Sequence, residues 1–82
     1  MLMPRAVVLV NTDVGTEEEV MKKLLEFPEV REVHLVYGVY DLVVFIEAPS
    51  HDELRNVIVT KIRRLPHIKS TTTMIIIESS RR

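Results

Sequence analysis

The chain has 82 residues, no cysteine, and 11 Lys and Arg against 12 Asp and Glu, a formal charge of −1. One small domain of this length buries only about 60% of its unfolded surface; without cysteine, neither disulfides nor a thiolate metal site can add stability, and self-association is the remaining source. The charge balance argues against a broad pull toward nucleic acid or anionic membrane, and the N-terminal apolar stretch is too short to span a bilayer and lacks a cleavage pattern, which predicts a cytoplasmic protein with no membrane partner.

Arg5 to Val10 (RAVVLV) is a β-branched run ended by the turn formers Asn11, Thr12, Asp13 and Gly15, and predicts the first strand. Thr16 and Glu19 stand at capping-box spacing, and Glu17 to Glu19 complement the positive end of a helix expected to run to about Phe27. Val20, Met21, Leu24, Leu25 and Phe27 form one apolar stripe, and Pro28 stops the helix. Val30 to Val36 and Leu42 to Ile46 read as two strands joined into a hairpin by the segment YGVYD. After Pro49, Ser50 and Glu53 repeat the capping-box spacing. Leu54, Val57, Ile58, Ile62 and Leu65 then mark a second amphipathic helix closed by Pro66. The last strand is expected from Ile68 to Glu78.

The order βαββαβ, with "FPEV" in one half echoed by "LPHI" in the other, predicts an α+β ferredoxin-like fold: a four-stranded antiparallel sheet, two helices on one face, strands one and three central. Residues 6–10, 42–46 and 74–77 are apolar without alternation, so both faces of the sheet favour leaving water while the helices can cover only one. A second copy of the chain is the simplest cover, giving a dimeric α/β barrel.

In the hairpin, Gly38 is expected at positive φ. Asp41, set against the apolar run Leu42 to Ile46, needs donors, and backbone amides left open at the Gly38 turn are the candidates. The same geometry serves a turn, or a small zwitterion whose carboxylate meets the amides and whose ammonium meets Asp41. Thr71 and Thr73 share one strand face and are preferred over Thr72 as hydroxyl contacts, although strand propensity alone also accounts for all three.

The run GVYD followed by LVVFIEAPSHDEL, with LPHIKSTTTMII later, resembles the ligand-binding (RAM) domain of the Lrp/AsnC transcription regulators over Arg5 to about Glu78. The most specific parts are Gly38, Tyr40 and Asp41 in the hairpin and Pro66, Ile68, Thr71 and Thr73 at the last strand, with Ile68 in place of the family's Val. The resemblance implies dimers that pack through their sheets and join into rings of four or five, octamers or decamers. A free amino acid would lie between dimers, held by Gly38, Val39, Tyr40 and Asp41 of one copy and by Thr71 and Thr73 of a neighbour. It implies no cofactor. The helix-turn-helix domain of the family's regulators has no counterpart in these residues, so the 82 residues are expected to be a single stand-alone domain without direct nucleic-acid binding. Such a domain would regulate by co-assembly with a full-length Lrp/AsnC regulator.

His34, His51 and His67 lack chelating spacing, which argues against a metal site. Glu17 to Glu19 read as helix-dipole complements, and Arg63, Arg64, His67 and Lys69 as cations at the negative end of the second helix. No serine has an evident base and no Gly-rich phosphate loop is present, so the reading is non-enzymatic. The alternative is a small dimeric α/β-barrel enzyme of the cofactor-free oxygenase or isomerase type, a class that fold alone does not exclude.

Overall fold

β1 (Arg5–Thr12), α1 (Glu17–Leu25), β2 (Val30–Leu35), β3 (Leu42–Glu47), α2 (His51–Val57) and β4 (Ile68–Ile75) follow one another in the computed structural model, which describes residues 3–82. Every pairing is antiparallel and the order across the sheet is β2-β3-β1-β4, so β1 and β3 are central, as the βαββαβ pattern predicts for a ferredoxin-like fold.

Register decides which side chains meet the helices. Val8 lies opposite Val44 and Val10 opposite Leu42, and these side chains with Ala6 and Ile46 point to the helix layer. There they pack against Val20 and Leu24 of α1 and Leu54 and Val57 of α2, all essentially buried. The intervening positions, Val7, Leu9, Val43 and Phe45, project to the other face and are only partly buried. No element of the described chain forms a second layer over them. Burial on the helix side, at about 1.5–3 kcal/mol for each fully buried aliphatic side chain, is the main term holding the fold together.

The two capping sequences behave differently. Ser50 is extended (φ −144°, ψ 164°) and its hydroxyl accepts the Glu53 amide at 3.1 Å, the forward half of the expected box. Thr16 does not cap α1, contrary to expectation: at φ −109°, ψ 5° its hydroxyl instead donates to the Asp13 carbonyl at 2.7 Å. The tight Asp13–Thr16 turn, with Gly15 at φ 83°, orients the hydroxyl backward, and the Glu17 carboxylate takes the Gly15 amide.

The second helix is α-helical only to Val57, and Ile58–Ile62 form a π-helical turn closed by the Arg63 amide on the Ile58 carbonyl. Val57, Ile58, Val59 and Thr60 are all β-branched, and the Thr60 hydroxyl donates to the Asn56 carbonyl at 2.6 Å, a back-bond that loosens the helical ladder. A strict α-helix would carry Ile62 about 80° round from Leu54. The wider turn takes up that drift and keeps Leu54, Ile58 and Ile62 buried together.

β4 ends at Ile75, short of the expected Glu78. The Ile76 amide still reaches the Arg5 carbonyl at 2.9 Å, but β1 begins at Arg5 and Pro4 before it has no N–H to offer.

Candidate functional site

The hairpin between β2 and β3 closes through the Val36 amide on the Asp41 carbonyl at 3.0 Å. Gly38 has φ 154°; a Cβ there would meet nothing within 4 Å, so backbone conformation rather than crowding favours glycine. The amides of Gly38, Val39 and Tyr40 make no hydrogen bond among the described residues, which leaves three successive donors at the turn. Val39 and Tyr37 stand almost fully exposed at the tip.

Asp41 does not draw its donors from that turn. Its Oδ2 accepts the Thr12 amide at 2.8 Å and lies 3.4 Å from the Thr12 hydroxyl, and its own amide donates to the Val10 carbonyl at 3.0 Å. The pairing of β1 with β4 shifts register between Asn11 and Thr12, and a shift of this kind re-aims backbone groups. Here it accompanies a Thr12 N–H that serves the carboxylate. Thr12 is buried, so this bond removes an otherwise costly orphan donor. Oδ1 makes no protein hydrogen bond among the described residues.

The next residue ties the same corner to the start of β4. The Asp13 amide donates to the His67 carbonyl at 2.9 Å, and the His67 ring lies between Asp13 Oδ2 (Nδ1, 3.3 Å) and Glu19 Oε2 (Nε2, 3.4 Å). His67 is the one non-glycine residue at positive φ, 71°, among the described residues. These contacts hold it there, and a sequence reading that made it a helix-end cation missed the role.

Tyr40 and the threonines sort by face. Thr72 lies opposite Leu9 on the open face, and its hydroxyl is 3.2 Å from the Tyr40 hydroxyl, a bond that crosses β1. Thr71 and Thr73 do share a face, as alternation predicts, but it is the helix-side face, opposite Val10 and Val8. Within one chain the structure therefore brings Tyr40 to Thr72 and leaves Thr71 and Thr73 on the other side of the sheet. The signal for Thr72 was the parity shared with Leu9, readable only once the register was known. Thr73 and Thr71 line two adjoining grooves of about 310 and 320 Å³ between β4 and the second helical segment, with Arg63 common to both.

Among the described residues no group of three His, Cys, Asp or Glu is arranged to hold a metal ion, and no helix is long and apolar enough to cross a membrane.

The family model of the Lrp/AsnC ligand binding domain matches residues 5–82. The HTH-type transcriptional regulator FL11 of Pyrococcus horikoshii is 35% identical over 74 residues, covering 90% of this chain and 48% of its own length. The chain thus spans less than half of that regulator. Among solved structures, the hypothetical protein PHS023 from Pyrococcus horikoshii is 47% identical with a TM-score of 0.87, covering 94% of this chain and 93% of its own. AsnC of E. coli superposes with a TM-score of 0.91 over 99% of this chain and 55% of its own at 22% identity, a likeness of fold.

Proposed function

Because the chain belongs to the Lrp/AsnC ligand-binding domain family, with HTH-type transcriptional regulators among its relatives, we propose that it is a non-enzymatic effector module that binds a free amino acid and self-associates. The observation that carries this reading is the hairpin: the open amides of Gly38, Val39 and Tyr40 stand beside an aspartate with one uncommitted oxygen. Successive amides suit a carboxylate, and Asp41 Oδ1 suits an ammonium. Thr71 and Thr73 of a neighbouring copy complete the site.

The partly exposed Val7, Leu9, Val43 and Phe45 support a second copy as the cover of the open face, with such dimers assembling further into octameric or decameric rings. The 82 residues act as one cytoplasmic ligand-binding domain. Regulation of amino-acid metabolism proceeds by co-assembly with a full-length Lrp/AsnC regulator, and no direct contact with nucleic acid is assigned to these residues. The barrel-enzyme alternative draws no support from relatives that are named as regulators.

A thermal-shift screen against the twenty amino acids tests the proposal. At least one should raise the melting midpoint at millimolar concentration, since a ligand at 100 times its Kd adds about 2.7 kcal/mol. No response from any of them would remove the ligand reading.

A further inference from the structure

We propose that the furrow between β4 and the second helical segment receives the side chain of the bound amino acid and selects an anionic one, that of aspartate or glutamate. The inference rests on the amino-acid-binding reading above and adds the ligand class. Thr73 and Thr71 lie in adjoining grooves whose ionisable lining residues are His51, Arg55, Arg63 and Lys69; no Asp or Glu lines either groove. Arg55, Arg63 and Lys69 form no ion pair among the described residues, as holds for most cations of this chain; what sets the furrow apart is that no carboxylate lines it to offset them. In a chain with 11 basic and 12 acidic residues this is a local excess of positive charge and not a reflection of net charge. A cleft lined by one sign of charge concentrates ligands of the other.

The rest of the lining suits a short acidic side chain. Ile58, Val59 and Ile75 offer aliphatic contact to methylene groups, and the Thr71 and Thr73 hydroxyls can donate to a carboxylate. Since the hairpin of a neighbouring copy takes the α-carboxylate and the ammonium, the side chain is the part left to meet the furrow. A cationic side chain would be repelled there, and a neutral one would leave the charge of Arg63 unanswered.

Calorimetric titration of the intact chain with glutamate, aspartate, glutamine, leucine and lysine at constant ionic strength tests the inference. Glutamate or aspartate should bind about tenfold tighter than glutamine, the size expected of two partly exposed charge contacts. The double variant Arg55→Gln/Arg63→Gln should bind the two acids no tighter than glutamine, and Arg63→Glu should turn the preference toward lysine. Glutamine, leucine or lysine binding tighter than both acids overturns the anionic furrow and leaves the amino-acid reading standing. So does an unchanged preference in the double variant. Silence with all five, while another amino acid raises the melting midpoint in the thermal-shift screen, also overturns the anionic furrow alone; silence with all twenty in that screen overturns both.

Discussion

The two faces of this sheet carry similar side chains in different surroundings. Val8, Val10, Val44 and Ile46 lie under two helices and are essentially buried, while Val7, Leu9, Val43 and Phe45, their immediate neighbours along β1 and β3, remain partly exposed. Strands that are apolar in both parities commit the chain to burial on both faces, and the topology of two helices on one side supplies only one layer. The exposed face is also where Tyr40 reaches Thr72, so the hairpin and the last strand are joined across the same surface that lacks a cover.

Variants can break this comparison, beginning with the largest effect. On the covered face, Leu24→Ala should destabilise the chain by about 2–5 kcal/mol in urea unfolding, as for other large-to-small core changes. On the open face, Phe45→Glu should leave the fold intact and weaken self-association by about a hundredfold or more, because each copy loses a buried aromatic contact; an unchanged sedimentation profile would mean that this face is not the contact. Between the faces, Asp41→Ala should cost about 1–3 kcal/mol by orphaning the buried Thr12 amide, and Asp41→Asn, which keeps an acceptor oxygen, should cost less while removing the charge offered to an ammonium. Denaturation midpoints separate that structural share from the ligand response. The smallest contrast is between the two capping sequences: Ser50→Ala should cost about 1 kcal/mol, whereas Thr16→Ala should stay well below that, since Thr16 caps nothing.

Periodicity and composition made the elements and their order legible because burial and backbone geometry act locally: the β-branched strand runs, the apolar stripe of α1 and the Pro28 and Pro66 stops all follow from nearest-neighbour physics. The π-helical turn at Ile58–Ile62 was not foreseen, although the β-branched run Val57 to Thr60 with Asn56 four residues before Thr60 was its visible cause. The hairpin was legible through Gly38, and the open turn amides followed from it. The Asp41 donor was not, because Thr12 is 29 residues away in sequence and reaches Asp41 only through the pairing of β1 with β3 and the register shift beside β4. The same holds for His67, whose contacts with Asp13 and Glu19 join opposite ends of the chain. Site residues held by local turns can be read from sequence; those held by long-range register cannot.

The central claim is that the open face is closed by a second copy of the chain. Sedimentation equilibrium over a dilution series measures this directly. The account predicts a mass of at least twice the 9.5 kDa of one chain, reduced toward it by Phe45→Glu. A single 9.5 kDa species of the unaltered chain at every concentration would contradict it.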